Sequence, residues 1–201
     1  MTAAARVASA DGGFFFEISS EKYMSLTYSS IKSLREESTG FDNFVLFEPE
    51  SLNNIRAKEK RQPAEICALN NEVVIVENIY ADPTIDNSRF ASFDEQYNYA
   101  TVSVLALPLT NSKGNLIGVA QFTNAADNNG KVINFTKDIV NILTSFCSLL
   151  SLVLENKSLR EAYSQLLESF IEVLARAIDA KSPYTGSHCQ KVPIITRLLA
   201  T

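Results

Sequence analysis

Two short runs near the start of the chain, Phe14 to Ile18 and Tyr23 to Tyr28, are rich in aromatic, β-branched and other apolar residues. The Ser-Ser-Glu-Lys between them predicts an antiparallel hairpin, preceded by a short Ala-rich helix. Gly40 to Pro63 has no clean period and reads as irregular or weakly helical. Ala64 to Leu69 reads as a helical turn closing at Asn70-Asn71, and the β-branched run Val73 to Val76 predicts a buried strand. Asn78 to Asn98 is dense in turn formers, a length of loop that often serves as a lid. Thr101 to Leu109 and Asn115 to Thr123 then form the clearest hairpin, joined through Asn111 to Gly114, where glycine supplies a positive φ. Strand alternation puts Thr101, Ser103 and Leu105 on one face and Val102, Val104 and Ala106 on the other. Asn124 to Gly130 reads as a polar turn.

From about Lys137 to Lys181 there is no proline or glycine, and apolar residues keep helical spacing throughout. Ile139, Ile142, Phe146, Leu149 and Val153 form one series; Leu159, Tyr163, Leu166, Phe170, Val173 and Ala177 form another. The seam skips phase at Asn156, a change that locally overwinds a coiled coil. Leu143, Leu150, Leu154, Leu167 and Leu174 widen the stripe beyond a strict two-stranded seam. One long helix is the simplest reading, its first half packed on its own sheet and also facing a partner, its second half mainly facing a partner. The alternative is a break at Asn156-Lys157-Ser158 and a helical hairpin. The element order predicts an α+β fold, an antiparallel sheet with flanking helices and a long C-terminal helix.

Composition narrows the function. With 46% hydrophobic and 20% charged residues, the 201-residue chain has material for one core plus an extension. A net charge of -5 argues against nucleic-acid binding. The one dense basic run, Arg56 to Arg61, is interrupted by Glu59 and reads as a solvated surface. Cys67, Cys147 and Cys189 are odd in number, with no C-x-x-C, which fits a reducing cytoplasm. Cys67 and Cys147 sit in apolar runs and read as buried thiols, not as points of chromophore attachment. The first residues lack the pattern of a signal peptide. Ile139 to Leu154 is interrupted by Asn141, Thr144, Ser145, Ser148 and Ser151, so the chain is expected not to be membrane-embedded.

The combination NIYADPTID, FDEQYNYATVSVLALPL, KGNLIGVAQFTNA and NFTKDI resembles the GAF domain, a small-molecule sensor fold, over about residues 1–155. The resemblance implies a GAF-like sheet, a first helix that begins inside the family's own, and a pocket roofed by Tyr80 to Tyr99. Tyr80, Phe90, Phe93, Asp94 and Tyr99 would wall that pocket, with Thr101, Ser103, Gln121 and Thr123 offering hydrogen bonds from the sheet. Tyr97 would join the aromatic wall. The ligand is an unidentified small molecule. The plain alternative is that these aromatics merely fill space. Of the signature of cyclic-nucleotide-binding members, Asn124 and Phe135 are present, but Ala125 replaces the Lys, and Ile139 and Val140 replace the acidic pair. Cyclic AMP or cyclic GMP is therefore not the expected ligand.

Ala175 to Ala200, ARAIDAKSPYTGSHCQKVPIITRLLA, resembles the opening of the HD-GYP phosphodiesterases. Pro183 removes an N–H and Thr185-Gly186 supplies a turn, so Pro183 to Gly186 should end the long helix. The resemblance implies that His188 is the first ligand of a divalent metal pair, Fe or Mn, in a complete parent protein that hydrolyses cyclic di-GMP. His188 is the single histidine of the chain, and such a site needs several ligands, so the chain itself is expected to be inactive and to carry no cofactor. The expected organisation is a GAF domain over 1–155, a connecting helix and coiled coil over 156–181, and an incomplete HD-GYP start over 182–201. Its function would be sensing and homodimerisation through the C-terminal helix in a cytoplasmic signalling protein. A purely structural dimerisation module, and a working phosphodiesterase, are the alternatives.

Overall fold

The computed structural model describes residues 9–34, 36–39, 48–127 and 129–181. The expected Ala-rich helix and the HD-GYP-like segment with His188 lie outside these residues, the latter save for its first residues, which end the long helix. The chain divides into two units, Met1–Leu152 and Val153–Thr201.

In the first unit, β1 (Ala10–Ile18) and β2 (Tyr23–Ile31) pair antiparallel, as their alternation requires. β3 (Glu36–Thr39) and β4 (Glu50–Ser51) both pair with β2. The helix α1 (Leu52–Ala57) follows, capped by the Ser51 hydroxyl accepting from Asn54 N at 3.2 Å. The next helix, α2 (Pro63–Asn70), starts where Pro63 needs no N–H partner and Gln62 and Glu65 form a reciprocal capping box. It stops at Asn71, whose φ of 56° is the left-handed conformation of a helix end.

Among the described residues the strand β5 (Val74–Val76) pairs only with β6 (Val104–Thr110), which makes it an edge strand. Val73 and Ile75 are exposed and only Val76 is fully buried, against the expectation of a buried strand. A β-branched run suits a pleated backbone but does not fix a strand's place in the sheet. The expected lid segment contains a helix, α3 (Ser88–Tyr97), whose Phe90 and Phe93 lie three apart and face inward, and whose end is set by Asn98 in the left-handed region.

β6 runs through the Gly114 turn (φ 78°) into β7 (Leu116–Ala126), which pairs with β1 on its other side. The expected polar turn thus begins later, because Asn124 to Ala126 extend the strand and Ala125 and Ala126 pair with β8 (Val132–Ile133). Among the described residues the strand order is β3-β2-β1-β7-β6-β5.

The long helix α4 (Lys137–Lys181) is continuous through Asn156, as helical spacing without proline or glycine predicts. In its first unit portion Leu143, Cys147 and Ser151 are buried, four residues apart, whereas Ile142 and Leu149 are exposed. The hydroxyls of Thr144, Ser145, Ser148 and Ser151 each donate to the carbonyl four residues earlier, at 2.8 to 3.0 Å. By length and composition α4 is apolar enough to cross a bilayer, but Leu143 and Cys147 belong to the domain core. In the second unit, Leu159, Tyr163, Leu166, Phe170, Val173 and Ile178 are exposed on the helix.

Candidate functional site

Residues directly opposite one another in an antiparallel sheet share a face, so the register draws the floor of the site. One row runs Ser29, Phe14, Gln121, Ala106, Val74 across β2, β1, β7, β6 and β5. The adjacent row runs Ile31, Gly12, Thr123, Val104, Val76. Phe14, Phe16, Met24, Leu26, Ala106 and Val119 on this face pack with Ala64 and Cys67 of α2 and Phe93 of α3. The polar members of the rows are buried: Ser29 is 1% exposed, Gln121 0% and Thr123 2%. Neither amide atom of Gln121 has a hydrogen-bond partner, nor do Ser29 Oγ and Thr123 Oγ1. Gly12 leaves the space beside Thr123; a Cβ there would stand 2.2 Å from Thr123 Oγ1.

The roof is α3, held by Asp94. Its carboxylate accepts from Thr101 N at 2.8 Å, Thr101 Oγ1 at 2.8 Å and the Tyr80 hydroxyl at 2.7 Å. Phe93 stacks tilted on Tyr97 at 4.7 Å and meets Tyr99 edge-on at 5.8 Å, the geometries favoured by aromatic quadrupoles. Phe14, Phe90, Phe93, Tyr99, Thr101 and Thr123 line the cavity between roof and floor. The centre of a water molecule has about 10 Å³ there, room for a single water. A second small cavity, about 20 Å³ by the same measure, lies over Phe16 and Leu26 and beneath Gln62, whose Nε2 is buried and unpartnered. Arg89 borders both cavities.

A polar clasp closes one side. The Tyr99 hydroxyl donates to Asp11 Oδ2 at 2.8 Å and accepts from Asn124 Nδ2 at 3.0 Å. The same Nδ2 donates to Ala100 O at 2.7 Å, while Asn124 Oδ1 accepts from Val102 N at 2.7 Å. Asn124 thereby fixes the segment that feeds β6, and its φ of 54° lies in the left-handed region that Asn visits more readily than most residues. Burial, with the Asp11 charge beside it, pushes the Tyr99 phenol well above its ordinary pKa. The Thr123 hydroxyl and the Asn124 amide beside that phenol oppose the rise without overcoming it. Burial and the bond to Asp94 likewise raise Tyr80, although its ring is 46% exposed.

The structure thus brings Phe90, Phe93, Tyr99, Thr101 and Thr123 to one cavity, with Gln121 on the same floor and Asp94 and Tyr80 on its rim. Ser103 is elsewhere: its hydroxyl donates to Ile133 O at 3.0 Å and anchors β8. Residues 101–103 precede β6, so strand alternation does not govern where Thr101 and Ser103 point. Sequence reading missed Phe14, Gly12, Ser29, Gln62 and Arg89, which belong to segments with no local mark of a pocket. Beside the second cavity, Lys58 Nζ lies 2.6 Å from Glu50 Oε2 and 2.8 Å from Glu65 Oε1, and Arg89 Nη2 lies 3.5 Å from Glu50 Oε2. Burial opposes the charge on Lys58, but the two carboxylates outweigh it and raise its pKa.

Cys67 and Cys147 are free and buried, and burial pushes both thiols up to about 12, leaving them protonated and poorly nucleophilic at neutral pH. Among the described residues no group of three or more His, Cys, Asp and Glu is placed to hold a metal.

No protein-family model matches the sequence, and no curated protein matches it. Solved structures do. The chain is similar to the blue-light-absorbing form of the PixJ GAF domain of Thermosynechococcus elongatus at 10% identity and a TM-score of 0.56, covering 84% of this chain and 88% of that one. It is similar to the GAF domain of a phosphoenolpyruvate-protein phosphotransferase of Coxiella burnetii at 10% identity and a TM-score of 0.56, covering 80% and 81%. The GAF-B domain of DevS from Mycobacterium smegmatis aligns at 11% identity and a TM-score of 0.51, covering 81% and 92%. The fold is GAF-like, an antiparallel sheet with flanking helices and a long C-terminal helix, as expected.

Proposed function

We propose that this chain is a small-molecule-sensing and dimerising signalling module. The GAF-like fold, typical of sensing and signalling modules, supports this, and the carrying observation is the aromatic cavity under α3, floored by buried polar side chains. A ligand there acts only through unequal affinity for two arrangements of the protein. Lifting Phe90 and Phe93 disturbs Asp94 and Thr101, and hence the start of β6. Further along β6, Leu107 and Pro108 share a groove of about 450 Å³ with Thr144, Ser148 and Leu152 at the base of α4. A change at the lid thus reaches the base of the output helix through one strand. The exposed apolar series from Leu159 to Ile178 is the surface by which two copies pair, with the phase skip at Asn156 as the place for two registers.

In a complete parent the output would be hydrolysis of cyclic di-GMP, a reading that rests on the sequence from Ala175 onward. Buried, reduced Cys67 and Cys147 support a cytoplasmic setting. A specific observation also favours a second reading, a structural dimerisation module: the cavity holds space for a single water. Native mass spectrometry of the purified chain separates the two. A dimer with a defined extra mass is expected; a bare dimer supports the structural module, and a bare monomer overturns the output-helix mechanism.

A further inference from the structure

We infer that two copies of this chain pair parallel and in register through α4, with Asn156 of each facing Asn156 of the other inside the seam. The inference rests on the dimerising role and names the orientation and register of the partner. The phase skip at Asn156 belongs to a seam counted through Phe146 and Val153. Phe146 is half-buried in the first unit, however, and the exposed side chains carry a second seam without a skip. Leu159, Leu166 and Val173 repeat every seven residues, and Asn156, Tyr163 and Phe170 do the same three residues ahead of them. Counted back along the chain, exposed Leu152 and Leu149 extend both series. Asn156 is then an a position of a heptad whose d positions are leucine or valine, the place where one polar residue selects register at a cost in stability.

The chemistry of Asn156 selects a second copy as its partner. A carboxamide holds a donor beside an acceptor, so two of them across a two-fold axis complement each other. Sliding one helix by a heptad sets one Asn156 against Leu149, and the antiparallel alignment that keeps the apolar layers together sets each against Val173. Either change buries an amide without a complement. Charge points the same way. Glu155 is at g and Arg160 at e, and in a parallel pair in register a g residue meets the e residue five places on in its partner, so Glu155 and Arg160 meet twice by symmetry. Within one helix, residues five apart do not face each other, so the match serves only a pair. The antiparallel alignment brings Glu155 to Arg176 instead, whose guanidinium is held by Glu172 on its own helix.

The test is disulfide trapping in the full chain. Asn156→Cys is combined with Cys189→Ser, which leaves the buried Cys67 and Cys147 as the only other thiols. Mild oxidation is expected to link most of the protein into dimers through position 156, located by peptide mass mapping. In the antiparallel alignment the two thiols are separated by the helix rise from Asn156 to Val173, about 25 Å, and no link forms. In the otherwise unaltered chain, Glu155→Arg is expected to weaken dimerisation roughly fivefold in sedimentation equilibrium, and adding Arg160→Glu to restore it. A dimer that gives no link at position 156, or one that Arg160→Glu fails to rescue, overturns the inference while leaving dimerisation through α4 standing. If Asn156→Cys does not fold, the charge reversal decides by itself. A monomeric unaltered chain removes both the inference and the dimerising role.

Discussion

Gly12 shows how one missing side chain shapes the floor. Replacing it by alanine drives a Cβ to within 2.2 Å of Thr123 Oγ1, so one of the two must move. Gly12→Ala is expected to cost about 1–3 kcal/mol, the usual range for overpacking a tight site. Adding Thr123→Ala is expected to recover most of that loss, because the two changes share one contact. Urea unfolding of both variants checks this; equal destabilisation of the single and double variants would break the argument. The aromatic residues of the roof and Thr123 of the floor were legible in the sequence, the former as a cluster in one segment. Gly12 and Ser29 were not, since their importance comes from facing Thr123 and Phe14 across strand pairs, and register is not written in either strand alone.

At the scale of elements, local signals located strands better than they placed them. The hairpins of β1–β2 and β6–β7 and the whole of α4 followed from alternation, turn glycine and an unbroken helical period. β5 was recognised but mislocated, because Val73 and Ile75 look the same in a buried strand and at an exposed edge. The helix α3 was hidden behind turn formers that set its start, while Phe90 and Phe93 marked its inward face. The late part of α4 carries its own expectation. Leu166 is 65% exposed on a helix whose apolar residues repeat at three and four, so a glutamate there places charge in the proposed pairing seam. Leu166→Glu is expected to weaken dimerisation at least tenfold in sedimentation equilibrium while leaving the circular dichroism of the sheet domain unchanged. An unchanged dimer would show that this face is not the pairing surface.

For the molecule as a whole, the clasp around Tyr99 makes stability depend on alkaline pH in a definite direction. The phenol is held protonated in the folded state by burial and by Asp11, whereas in the unfolded chain it ionises near its ordinary value of about 10. Its raised folded pKa gives a contribution fully present below about pH 10 and lost as pH climbs toward the folded value. Lys58, also raised, acts in the same direction above its ordinary 10.5. Urea midpoints between pH 8 and 11.5 should therefore fall, and fall less steeply in Tyr99→Phe; parallel curves for the two proteins would exclude this role for Tyr99. The hydroxyls of Thr144, Ser145, Ser148 and Ser151 bear on the same question of how the fold acts as a unit. Each makes a backbone carbonyl share its lone pairs between two donors, which softens the helix and favours curvature. Elastic compliance is therefore concentrated in one and a half to two turns of α4, while the stretch from Leu159 onward contains a lone such bond, from Ser169 to Gln165 among the described residues. In the proposed sensor the stretch of α4 from Thr144 to Ser151 is where a displacement at the base of the helix would be taken up as bending.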